Sequence, residues 1–213
     1  LNTEELVTLL ATRADPVDPG IAARRFALAL LVAALGSLLL TKGVYGLRPD
    51  LSFAARTGLF WAKFALPACI SIGAFAATSR LSRPGVKAGR AWWVVGAPVV
   101  LVWVAGALLV GAAAPEDRSS LILGLSWRSC PFNILLLSIP GFVTVFLAVK
   151  GLGPTNLRLA GAAAALLASS IATMAYCFHC PEMSPAFWSI WYVAGMGLVS
   201  VIGAMAGPTL LRW

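Results

Sequence analysis

The sequence predicts an all-α integral membrane protein: a bundle of six transmembrane helices with a short cytoplasmic amphipathic helix at its N-terminus. Three observations predict it. Apolar residues make up 60% of the 213 positions and charged residues only 11%, against about 25% charged in an ordinary soluble domain. The apolar residues gather into six runs, each near the roughly 20 residues that a helix needs to cross the hydrocarbon. No run alternates apolar and polar residues as the strands of a β-barrel would.

The N-terminal segment, residues 1–20, is the predicted cytoplasmic part, and residues 21–213 the six-helix domain. "TEELVTLLA" places Leu6, Val7, Leu9 and Leu10 behind Glu4 and Glu5. Thr3 followed by two carboxylates resembles a helix start. A helix of about ten residues is marginal alone in water. The first twenty residues are acidic and broken by Pro16 and Pro19. They lack a secretory signal pattern, so the first apolar run is expected to insert and remain.

The predicted spans are Phe26 to Tyr45, Thr57 to Ser79, Ala91 to Ala113, Phe132 to Val149, Leu159 to Phe178 and Ala186 to Gly207. "GAAAALLASS" and "GMGLVSVIGAMAG" supply small residues that let helix backbones approach closely. "SSLILGLSW", residues 119–127, is too short to cross and is expected to lie on the outer interface as an amphipathic or re-entrant segment. Pro67, Pro98 and Pro140 are candidate kinks or joints. Trp61, Trp92, Trp93, Trp127, Trp188, Trp191 and Trp213 fall near predicted interfaces, as anchoring rings do. Trp103 is mid-span, a packing position.

Orientation comes from the basic residues. With the N-terminus cytoplasmic, Arg13, Arg24, Arg25, Arg80, Arg83, Lys87, Arg90, Lys150, Arg158 and Arg212 lie inside. Lys42, Arg48, Arg56, Lys63, Arg118 and Arg128 then lie outside, a bias of ten to six. "RLSRPGVKAGR" holds four of the ten in one loop, so both termini are expected inside. The net charge of +8 is spread between apolar segments, which retains loops rather than binding nucleic acid directly.

This topology places Cys130, at the start of the fourth span, and Cys180, at the end of the fifth, on the outer surface. Antiparallel neighbours joined by a short inner loop bring those two ends together. Outward thiols there can form a structural disulfide, bind a soft metal ion, or switch between thiol and disulfide. Around Cys180, "CFHCPEM" offers His179, with Glu182 and Met183 as weaker donors, because His is the commonest metal ligand. Cys69 and Cys177 read as small buried hydrophobes. Two further functions fit less well. A quinone-linked periplasmic thiol oxidoreductase needs two relaying cysteine pairs. A metal transporter usually has ionisable groups within its spans, where only Lys42 and Lys63 occur, near outer ends.

In order along the chain, "TEELVTLLA", "GLRPDL", "FWAKFALP", "SWRSCPFNILLLSIP", "GPTNLRLAGAAAALLA", "AYCFHCPEMSPAFWSIWYVAG" and "LLRW" resemble the negative-regulator-of-sigma-F (NrsF) family of membrane anti-sigma factors. The resemblance covers nearly the whole chain. It implies a six-span protein of the bacterial inner membrane, not an enzyme, that holds an extracytoplasmic-function sigma factor inactive at the cytoplasmic face. It further implies two periplasmic cysteines, matching Cys130 and Cys180, that are needed for the response to heavy-metal or related stress. Copper is the favoured metal, since Cu(I) prefers sulfur; it would be a regulatory ligand, with no permanent cofactor expected. Glu4, Glu5, Leu6, Leu9 and Leu10 are then the expected sigma-factor contacts, by helix-in-groove docking.

Overall fold

The computed structural model describes residues 2–12 and 20–212. The breaks at Pro16 and Pro19, together with Arg13, Trp213 and the side chain of Leu10, lie outside the described residues. The described chain is helical with no strand. Helix α1 (Thr3–Thr12) is followed by α2 (Ile21–Leu40), which continues through a π-helical turn at Thr41–Tyr45. Then come α3 (Leu51–Ala54), α4 (Gly58–Leu81), α5 (Ala91–Ala112), α6 (Pro115–Leu123), α7 (Cys130–Leu137) and α8 (Ile139–Lys150). The last three are α9 (Leu157–Tyr176), α10 (Pro185–Phe187) and α11 (Val193–Leu210), with a second π-helical turn at Trp188–Tyr192 between α10 and α11.

Five segments are long and apolar enough to cross a membrane: Ile21–Tyr45, Gly58–Leu81, Ala91–Ala112, Leu157–Tyr176 and Pro185–Leu210. The pair α7 and α8, bent by 46°, makes a sixth. The fourth predicted span is therefore broken. Pro140 has no N–H to complete the ladder, and the bend is seated by α2. Ser37 Oγ donates to the Leu137 carbonyl at 2.9 Å, and a Cβ on Gly36 would come within 2.7 Å of the Pro140 ring. Pro67 and Pro98 sit inside unbroken helices.

Helix α9 is the axis of the bundle, touching α2, α4, α7, α8 and α11. Its small residues explain the position. Gly161 and Ala165 meet Gly203 and Gly207 of α11 so closely that a Cβ on either α11 glycine would overlap the α9 backbone or Ala165. Such spacing allows backbone approach where lipid gives no hydrophobic drive. Buried hydroxyls close on their own helices: Thr41 on Ser37 O at 2.8 Å, Thr173 on Ser169 O at 2.7 Å. Helix α5 is peripheral, burying only Ala91, Val102 and Gly106.

Two buried clusters occupy the two ends of the bundle. One gathers Phe26, Leu81, Val149 and Leu211 beside the loops 82–90 and 151–156, which Gly85 N–H joins by donating to Thr155 Oγ1 at 3.2 Å. The other gathers Leu66, Cys130, Ile134, Tyr176, Cys177, Cys180, Trp188 and Tyr192 at the opposite end. Trp188 is thus a core residue rather than an interfacial anchor. Trp103 is half exposed, with its N–H given to the Ser189 carbonyl at 2.8 Å. Segment 119–127 begins in α6 and ends in turns; Leu125 is 95% exposed.

Candidate functional site

Helix α7 begins at Cys130, and α9 ends one residue before Cys177, so both helix ends deliver sulfur to one place. Cys130, Cys177 and Cys180 share a single buried cluster. Cys130 and Cys180 are near enough to interact electrostatically, and Tyr176 interacts with both. The sequence reading expected the pair to be outward-facing. Instead both thiols are fully buried, in one cluster with Trp188 and Tyr192. All four cysteines are free thiols. Cys177 is buried as expected, but Cys69 is exposed on the outer face of α4.

Two cations missed as site residues hold this turn. Lys63, on α4, has no exposed surface, and its Nζ donates to the Cys180 carbonyl at 2.6 Å. It also sits 5.7 Å from the centre of the Tyr192 ring. Arg48, in the loop after the first span, is 8% exposed. Its Nη1 lies 3.5 Å from the same carbonyl and donates to Met183 Sδ at 3.4 Å. Arg48 is clamped by both oxygens of Asp50 at 2.7 Å, and this hydrogen-bonded pairing holds the Asp50 carboxyl below the usual carboxylate range. The backbone adds Arg48 N–H to Phe178 O at 3.0 Å. An ionisable residue inside a span was the available signal, as were the quoted fragments "GLRPDL" and "FWAKFALP".

The other predicted donors are otherwise engaged. His179 places Nδ1 3.0 Å from the Gly46 carbonyl and rests between the rings of Tyr45 and Tyr176. Glu182 turns away: its Oε1 accepts from the N–H groups of Leu125 (2.7 Å) and Ser126 (3.2 Å) and from the Ser126 hydroxyl (3.3 Å). Among the described residues, no three His, Cys, Asp or Glu side chains converge as metal ligands. The five predicted donors therefore do not form one set. What remains is the Cys130 and Cys180 pair, which suits a two-sulfur contact to a soft ion or a disulfide. Tyr192 is fully buried and interacts with all three thiols.

At the N-terminus, α1 starts at Thr3 as expected, with Asn2 before it. Asn2 Oδ1 takes the Thr3 N–H at 3.1 Å, and the Glu5 carboxylate reaches back to the Asn2 N–H at 3.3 Å, a reciprocal cap. Glu5 thereby has a local structural task. Glu4, Leu6, Val7 and Leu9 are all exposed, an apolar stripe with no covering partner among the described residues.

A family model described as "Negative regulator of sigma F" matches residues 10–213. The chain is 40% identical to the probable anti-sigma-F factor NrsF of Azospira oryzae over 213 residues, the full length of both. It is 34% identical to the anti-sigma-F factor NrsF of Caulobacter vibrioides over 219 aligned positions, again the full length of both. No solved structure matches it. With the family pattern and two full-length relatives in agreement, the chain belongs to the NrsF family.

Proposed function

We propose that this protein is a membrane anti-sigma factor. It holds an extracytoplasmic-function sigma factor inactive at the cytoplasmic face of a bacterial inner membrane. It releases that factor when Cys130 and Cys180 on the periplasmic side are joined by a soft metal ion, copper foremost, or by oxidation. The observation that carries the sensing part is the meeting of two thiols from different spans, fifty residues apart, in one buried cluster. Family membership supports the sigma-factor partner, and the exposed stripe of Leu6, Val7 and Leu9 supports α1 as its docking helix. Leu10 extends that stripe in sequence.

The ties around the cysteine turn suggest how the signal travels. His179 to Gly46 and Arg48 to Phe178 fasten residues 178–179 to the far end of the first span. That span, Ile21–Tyr45, is about 37 Å long at 1.5 Å per residue, and its near end follows the docking segment. Joining Cys130 to Cys180 moves the turn, and the first span carries the displacement to the sigma-binding end. The effect requires different affinities for sigma in the two arrangements; tenfold release needs about 1.4 kcal/mol. A thiol oxidoreductase is less well supported, because Cys69 lies outside the cluster and cannot complete a second pair there.

The test is capture of the cognate sigma factor by membrane-embedded protein with and without copper. Copper should release sigma from wild type and not from Cys130→Ser/Cys180→Ser. Equal release from both would remove the thiols from the mechanism, and no capture by either would remove the anti-sigma role.

A further inference from the structure

The first span and α4 both pack on α9, yet a slot remains between them. Ala34 and Leu38 of α2 form one wall, Phe64 and Phe75 of α4 the other, and Ile171 and Phe178 the floor. Its volume of about 430 Å³ is that of a ligand site rather than a packing gap. At the end away from the cysteines Phe26 meets Phe75 edge to face, ring centres 5.5 Å apart, and shuts it. At the cysteine end its rim is Phe64 and Phe178, 5.9 Å apart, with Trp61 a further 6.0 Å from Phe64. Phe64 and Phe75 are 11 positions apart, about 16 Å of helix at roughly 1.5 Å per residue. That length is close to one leaflet of the roughly 30 Å hydrocarbon.

These dimensions suit a single hydrocarbon chain. A second helix would have to pass the Phe26 and Phe75 contact. A quinone ring would need a polar partner, and the Ser71 hydroxyl on the wall already donates to the Ala68 carbonyl at 2.8 Å. The row of Ala34 and Leu38 continues, four residues on, to Lys42, which is exposed and makes no ion pair among the described residues. Side chains four apart share a helix face, so a cation stands one turn beyond the slot. Headgroups lie at that level, where rings such as Trp61 anchor. We propose that this slot holds one acyl chain of an anionic phospholipid from the leaflet at the cysteine end, with Lys42 meeting the phosphate. The inference rests on the reading of the chain as membrane-embedded and is independent of the thiols.

The experiment places the full chain in phosphatidylcholine nanodiscs containing phosphatidylglycerol with a photoreactive acyl chain, and maps the adducts by peptide mass spectrometry. Adducts should concentrate on the α2 and α4 peptides that line the slot, at least about tenfold over the exposed face of α5, ~1.4 kcal/mol. A phosphatidylcholine probe with the same chain should label the slot about fivefold less, the effect of one cation at the membrane surface. In Lys42→Gln the two probes should label equally. In Ala34→Phe, whose ring fills the slot, slot labelling should vanish. Should that variant not fold by size exclusion, the wild-type map and Lys42→Gln decide. Adducts spread evenly over all spans, slot labelling that persists in folded Ala34→Phe, or a headgroup preference unchanged in Lys42→Gln each overturn the proposal. So does displacement of the probe by added ubiquinone. No adducts on any span would instead refute the membrane reading itself.

Discussion

Lys63 Nζ donates to the Cys180 carbonyl at 2.6 Å, and both residues are completely buried. The bond joins α4 to the turn after α9, so the position of Cys180 is set by a helix that carries neither Cys130 nor Cys180.

Replacing Lys63 by Met removes this bond but also removes a buried charge. The two effects oppose each other, so thermal stability in detergent should change by less than about 1 kcal/mol. The turn nevertheless loses its main tether. Maleimide labelling of Cys180 should accelerate several-fold relative to wild type, and an unchanged rate would show that Arg48 and His179 suffice to fix the turn.

Acid should loosen the same turn through Asp50. Its carboxyl is held below the ordinary range by the Arg48 hydrogen bonds, so its stabilising contribution is complete above about pH 4. That contribution is lost as pH falls through the lowered folded-state value. The gap between the melting curves of wild type and Asp50→Asn should be full at about pH 7 and narrow as pH falls below about 4. A constant gap would mean that the Asp50 charge does not hold Arg48.

The α9–α11 contact predicts a sharp difference between two glycines six residues apart. Gly203→Leu forces a side chain into Ala165 and the Gly161 backbone. Overpacking of this kind costs about 1–3 kcal/mol or more, and the protein should elute as aggregate on size exclusion. Gly197→Leu, where an added Cβ meets nothing within 4 Å, should elute as wild type.

Glu182 has a structural task distinct from metal binding. Glu182→Ala frees the N–H groups of Leu125 and Ser126 to water, a net loss of about 0.5–1.5 kcal/mol per bond. Proteolysis in the turns after α6 should increase. Affinity for Cu(I) should stay within about threefold of wild type, under ~1 kcal/mol; a larger loss would restore the carboxylate to the ligand set.

The runs of apolar residues by themselves determined the helical class, the approximate limits of the spans and the joining of α7 and α9 at one end of the bundle. These features are local, because the length of an apolar run and the order of the runs along the chain are written directly in the residues. Which face each helix turns inward was decided only by the tertiary structure. In a membrane helix the lipid-facing and core-facing residues are both apolar, so no periodicity distinguishes them. Cys69 could be read as buried although it is exposed, and the position of Lys63 near the start of its helix did not disclose that it is enclosed. The burial of Cys130 and Cys180, the turning of Glu182 toward Ser126 and the seating of Arg48 on the Cys180 carbonyl depend on contacts between segments distant in sequence. Close packing of small residues along α9 brings those segments together, and only the folded bundle fixes that geometry.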